Sequence, residues 1–180
     1  MNIISIDFAK YSTGIYTKVE GQESCFIIAN KKKCSDQEAL LNLYTAFTGI
    51  LQNVRYNFGL IEGYGFNPIN KQSMIIMSEI GGVIKLAFAY AEVPLITMPI
   101  QTWKMLTIGR IEKHGNETVY LDAIKSKYER SFANIDIADA FLIYQAAKVI
   151  CKRTKRLTPA MGKIKAQLQK IIEVKKGVQK

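Results

Sequence analysis

The sequence predicts an α/β fold: a mixed five-stranded sheet, built from a three-strand antiparallel meander and two parallel strands, with helices on both faces. Three observations predict it. Strand-like segments crowd the first 30 residues, helix and strand periodicities alternate from residue 35 to 98, and only helical patterns follow. At 180 residues and 48% hydrophobic, the chain can bury the core of one domain. A domain over 1–156 and a basic helical arm over 157–180 are expected.

"NIISID" alternates and then runs apolar, which suits a strand over 2–7 that ends on Asp7. "TGIYTKV" and "ESCFIIA" read as two further strands joined by "EGQ". From Ser35, an N-cap residue, Leu40, Leu43, Tyr44, Phe47, Ile50 and Leu51 recur at a helical period. "FGLIE" is a short buried strand ending on Glu62, and 71–91 is a long helix, apolar nearly all round. "PLITM" is the fifth strand, and Pro99 is expected at the first position of the next helix. Helices are predicted over 117–128 and 136–153. Beyond Pro159 the residues Met161, Ile164, Leu168, Ile171 and Ile172 form the apolar stripe of a last, lysine-covered helix.

The net charge of +10 is unevenly placed. Residues 148–180 hold 11 Lys and Arg against Glu173 alone, so the rest of the chain is neutral. Such a segment fits a polyanion, nucleic acid or an anionic membrane surface, or simply a solvated tail. No apolar run is read as reaching the roughly 20 residues that cross a bilayer, and "MNIISIDFAK" lacks a signal peptide's basic start and cleavage site. A cytoplasmic protein with no membrane partner is therefore expected. Cys25, Cys34 and Cys151 lack any C-x-x-C spacing and read as reduced thiols. With His114 the only histidine, zinc chemistry and Ser-His-Asp hydrolysis have little to work with.

Four acids stand out. Asp7 and Glu62 end two strands, where ligands gather in such sheets, and Asp136 and Asp139 share one face at the start of a helix. If the strands are neighbours and the helix crosses their ends, the four converge. Two carboxylates about 4 Å apart repel by about 4 kcal/mol at an effective dielectric near 20, so the set needs a cation. Oxygen-only donors favour Mg²⁺, with Mn²⁺ able to substitute. Two such ions activate a water and stabilise the leaving oxygen in attack on phosphorus. The structural alternative is that Asp136 is an N-cap, Asp139 complements the helix dipole in that first turn, Asp7 marks a strand end and Glu62 caps the "GYG" turn.

In "ISIDFAKYSTG", "LIEGYGF", "KQSMIIMSEIGGVI", "PIQTWKMLTIG" and "DIADAFLI", over roughly residues 1–150, the sequence resembles the RuvC family of Holliday junction resolvases, within the ribonuclease H-like superfamily. The resemblance implies that Asp7 bridges two Mg²⁺ ions, that Glu62 and Asp139 each complete one metal's shell, and that Asp136 lies near the attacking water. It further implies junction contacts by Lys104 and Lys113, and a base-stacking aromatic at Tyr64 or Phe66. Lys152, Arg153, Lys155 and Arg156, at the root of the basic arm, are candidates for phosphate contacts. The family acts as a homodimer on four-way DNA in recombination and repair, nicking two opposed strands, and the 71–91 helix is the expected interface. Where the bacterial enzymes commonly carry Pro-Gly, this chain has Phe8-Ala9-Lys10, and its lysine-rich end runs past the family's usual terminus. These departures suggest a phage- or virus-type branch. The alternatives are a related nuclease for forks, flaps or RNA-containing duplexes, a branched-DNA binder without activity, a lysine-rich membrane-surface protein, and an actin- or hexokinase-type ATPase, which would need a second such domain and a second phosphate motif.

Overall fold

A computed structural model describes residues 1–64, 71–109 and 116–178. The chain runs β1 (Ile3–Asp7), β2 (Ser12–Val19), β3 (Gln22–Ala29), α1 (Asp36–Asn53), β4 (Phe58–Glu62), α2 (Lys71–Tyr90), β5 (Leu95–Met98), α3 (Ile100–Thr107), α4 (Glu117–Tyr128), α5 (Ile135–Lys152) and α6 (Pro159–Val178). The five strands form one sheet in the order β3-β2-β1-β4-β5. The first three strands pair antiparallel, whereas β1, β4 and β5 are parallel.

Period-two alternation sorts each strand between two cores. Ile4, Ile6, Ile15 and Ile61 pack with Leu43 and Phe47 of α1 and with Ile80, Ile84 and Phe88 of α2. Ile3, Tyr16, Phe58, Leu60, Ile96 and Met98 face the other way, onto Trp103, Tyr120 and the buried face of α5. α5 forms the centre of that second layer because ten of its residues from Ile137 to Ala147, Asp139 among them, are buried.

Local signals fix the helix starts. Ser35 caps α1 in a reciprocal capping box with Glu38. Pro99 occupies the N-cap of α3 in an extended conformation, one residue before the first-turn position expected for it. Thr158 Oγ1 accepts from the Met161 amide at 3.3 Å at the start of α6.

Two expectations need correcting. The stretch Gln72–Tyr90, with a mean hydropathy of 1.4, is by length and composition sufficient to cross a membrane, contrary to the sequence reading. Its inner face packs on the sheet as a core helix. Nor is α2 apolar in its surroundings on every side: Ile75, Leu86 and Tyr90 are exposed along one stripe, while Ile80, Ile84, Ala87 and Phe88 are buried.

The lysine-rich 157–180 segment is packed onto the body of the protein over much of its length. Met161, Ile164 and Leu168 of α6 are buried in the same core as α5. Farther along, Gln167, Lys170, Ile171 and Val174 line a groove with Arg55 and Asn57, which precede β4, and Glu92 and Pro94, which precede β5. α6 therefore closes the end of the sheet where β4 and β5 begin.

Candidate active site

Asp7 and Glu62 are the last residues of β1 and β4. The strands run parallel, with Ser5 opposite Leu60 and Ile6 opposite Ile61, so both acids leave the sheet side by side at the same end. Asp7 shares the parity of Ile3, and Glu62 that of Phe58 and Leu60. Both carboxylates therefore project on the face that α5 covers.

α5 brings the other two acids to that end. Its N-cap is Asn134, whose side chain accepts from the Ile137 amide at 3.0 Å; Asp136, expected there, is the second residue of the helix. Asp139 lies a turn farther in and is 3% exposed, which removes it from the solvated first turn where a dipole-complementing acid would sit. Close approach of the helix depends on Gly14, the β2 partner of Asp7: a Cβ there would lie 2.1 Å from the Asp136 carbonyl oxygen. That steric need gives the Thr13-Gly14 pair of the sequence motif its physical reason.

Each carboxylate has a defined partner. Trp103 Nε1, fully buried in α3, donates to Glu62 Oε1 at 3.2 Å. The Tyr120 hydroxyl donates to Asp139 Oδ1, and Ser12 Oγ donates to Asp136 Oδ2. Burial pushes the Asp7 carboxyl well above its ordinary value, and the charges of Glu62, Asp139 and Asp136 push the same way. Burial also raises Glu62; its hydrogen bond with Asp7 and the nearby Lys104 charge act against that rise, while Asp139 adds to it. Burial, then the Asp139 charge, lifts the Tyr120 phenol above its ordinary range, so it stays a donor.

Among the described residues, no three acids are gathered around one point in a metal-ready cluster. Asp7 and Glu62 stand side by side at the two strand ends, and Asp136 and Asp139 act on Asp7 from α5 through their charges. The donor chemistry nonetheless fits a hard divalent cation: oxygen ligands only, and mutual repulsion that a cation relieves.

The other expected site residues divide. Lys104 is half-buried, with its Nζ 5.1 Å from the Trp103 ring centroid and its charge felt at Glu62. Tyr64 stands edge-on to Phe8 at 5.8 Å and close against α2, where a Cβ on Gly81 would lie 2.2 Å from its hydroxyl; it is still 45% exposed. Phe66 and Lys113 lie outside the described residues, as does His114. Lys152, Arg153, Lys155 and Arg156 are exposed but are not brought to the acids. They follow α5 to its far end, and 16 residues of helix separate Lys152 from Asp136, about 24 Å.

Sequence reasoning singled out neither Trp103, Tyr120 nor Ser12 as site residues. A lone tryptophan or tyrosine at an apolar helical position carries a core signal, and nothing local announces that its polar atom meets an acid from another element.

No protein-family model and no curated protein matches the sequence. Solved structures do match. The fold superposes on Thermus thermophilus RuvC in complex with a Holliday junction substrate with a TM-score of 0.68 at 12% identity, covering 84% of this chain and 95% of that one. A second Thermus thermophilus RuvC structure aligns with a TM-score of 0.66 at 15% identity, covering 84% and 96%. The likeness is one of fold: the mixed sheet and its helices are ribonuclease H-like, as in RuvC.

Proposed function

We propose that the protein is a Mg²⁺-dependent endonuclease that nicks branched DNA, with four-way junctions as its principal substrate. The observation that carries this reading is the adjacent Asp7–Glu62 pair at two parallel strand ends, overlaid by Asp136 and Asp139. The RuvC-like fold, in a relative crystallised with a Holliday junction, supports the substrate class. In this reading Asp7, Glu62 and Asp139 would hold Mg²⁺ with Asp136 beside the attacking water, and the ion would supply activation of that water and neutralisation of charge on the phosphate. Trp103 and Tyr120 orient Glu62 and Asp139, and Ser12 holds Asp136. Lys104 and Tyr64 are assigned to DNA contacts beside the acids, Lys113 and Phe66 to the same role by resemblance, and Lys152, Arg153, Lys155 and Arg156 to phosphates farther along a duplex arm.

A homodimer is part of the proposal. Ile75, Leu86 and Tyr90 form an exposed apolar stripe on α2 that a second copy would cover. Sedimentation of the full chain tests this, and a monomer at all concentrations would remove it.

One observation favours a second reading, branched-DNA binding without cleavage: Asp136 and Asp139 are each already engaged by a hydroxyl, Ser12 and Tyr120. Incubating the protein with a mobile four-way junction and Mg²⁺, beside fork, flap and hybrid duplexes, separates the two. Paired nicks on opposed strands support the nuclease. Binding of the junction with no nick under Mg²⁺ or Mn²⁺ supports the second reading.

A further inference from the structure

The sheet end that holds Asp7 also carries a cluster of lysines unconnected with the basic C-terminal segment. β3 runs in the same direction as β1, and Ala29 pairs with Ser12, so the chain leaves β3 at the carboxylate end and enters Asn30-Lys31-Lys32-Lys33. This loop is tied to the one that follows Asp7. The Asn30 amide donates to the Tyr11 carbonyl at 3.0 Å, and Asn30 Nδ2 donates to the Lys10 carbonyl at 2.6 Å. Asn42 of α1 donates to the Asn30 side-chain oxygen, and the Cys34 amide closes a turn on the Lys31 carbonyl at 3.0 Å.

The backbone is therefore pinned while the cationic side chains project outward: Lys31, Lys32 and Lys33 are all exposed. Of the nearest acids, Asp36 pairs with Lys10 at 2.7 Å, and Glu38 is bound in the Ser35 capping box, where the Lys31 charge reaches it. Lys10 also lies 4.9 Å from the ring centroid of Tyr11, whose own ring is 44% exposed. Three consecutive cations repel one another, and a polyanion relieves that repulsion. A merely solvated lysine run does not need a loop anchored by four hydrogen bonds beside an acid pair.

The strand order gives the patch a direction. Lys31 to Lys33 lie on the β3 side of Asp7, and Lys104 acts on Glu62 from α3, which follows β5 on the other side. A phosphodiester at the Asp7–Glu62 pair would have lysine to either side. Two strand spacings separate β3 from β1, about 10 Å, which about three nucleotides of a duplex arm span along its helix axis at about 3.4 Å each.

We propose that the Asn30–Lys33 loop, together with Tyr11, is the docking surface for the DNA strand's phosphate backbone about three nucleotides to one side of the cleaved bond. This rests on the nuclease reading for the position of that bond. The test uses the full chain and a labelled four-way junction. Binding is measured across about 50–200 mM salt for the wild type, for a Lys31→Gln, Lys32→Gln, Lys33→Gln variant and for the corresponding triple Arg variant. The Gln variant should lower the slope of log K against log salt by about two to three, and the Arg variant should restore it. A photo-crosslinker at position 32 should attach about three nucleotides from the nick. An unchanged slope and no crosslink, in protein that binds and nicks, overturn this surface and leave the nuclease standing. A crosslink to the junction without any nick upholds a DNA surface at this loop and overturns cleavage instead.

Discussion

At one end of the sheet the chain gathers acids: Asp7 and Glu62 sit on adjacent strand ends, with Asp136 and Asp139 above them and Trp103, Tyr120 and Ser12 as hydrogen-bond partners. At the other end, α6 lays a lysine-covered helix across the starts of β4 and β5, with its apolar stripe in the core. The acid end is held by contacts with almost no slack, such as Gly14 under the Asp136 carbonyl. The basic end is held by ordinary hydrophobic burial, with Lys163 and Lys170 exposed. Precision is concentrated where charges must be placed against one another; at the basic end, the number of charges matters more than their exact positions.

Substitutions at the two ends should therefore differ in kind. The largest effect is expected from Asp7→Asn, which should lower Mg²⁺-dependent nicking by at least about 10³-fold while junction binding stays within about threefold. Single-turnover cleavage beside a gel shift measures both, and undiminished nicking would take Asp7 out of the chemistry. Next comes Gly14→Ala: displacing the start of α5 should cost about 2 kcal/mol or more of stability, read from denaturant midpoints. Tyr120→Phe keeps the ring and loses the donor to Asp139. It should raise the Mg²⁺ concentration needed for half-maximal nicking about 10- to 100-fold, with activity recovering as Mg²⁺ is added.

The pH dependence follows from the raised carboxyls. Unfolded Asp7 titrates near its ordinary value of 3.8 and folded Asp7 well above it, so between the two the folded state binds more protons. Stability of the metal-free protein contributed by this group is therefore full below the lower value and declines as pH rises through the interval. Thermal midpoints taken from about pH 4 to pH 7 should show the decline, and Asp7→Asn should reduce it. The smallest effect on folding is expected at the basic end. Lys163→Gln with Lys170→Gln should shift stability by no more than about 0.5 kcal/mol, whereas cutting the chain after residue 156 should destabilise it by several times that, because Met161, Ile164 and Leu168 leave the core. A harmless truncation would show that α6 is dispensable to the core.

Much of this architecture was legible before folding. The Ser35 N-cap, the "EGQ" turn and the short runs ending on Asp7 and Glu62 are local signals, and each produced its element. Local signals were inexact at two helix starts: Asn134 took the cap that the structural alternative gave to Asp136, and Pro99 took a cap in place of the first helical turn. The partners of the acids were illegible because a hydrogen bond from Trp103 to Glu62 spans 41 residues and leaves no periodicity behind.

The sequence by itself determined the element order, the alternation of side chains along each strand and the total charge, since these depend only on side-chain period and composition. Tertiary structure alone decided that Asp7 and Glu62 share a face and that Lys152, near the root of the basic segment, lies about 24 Å from Asp136 along α5, while Lys31 to Lys33 leave the sheet at the same end as Asp7. The reason is that helix length and strand order, not distance along the chain, set which charges share a surface.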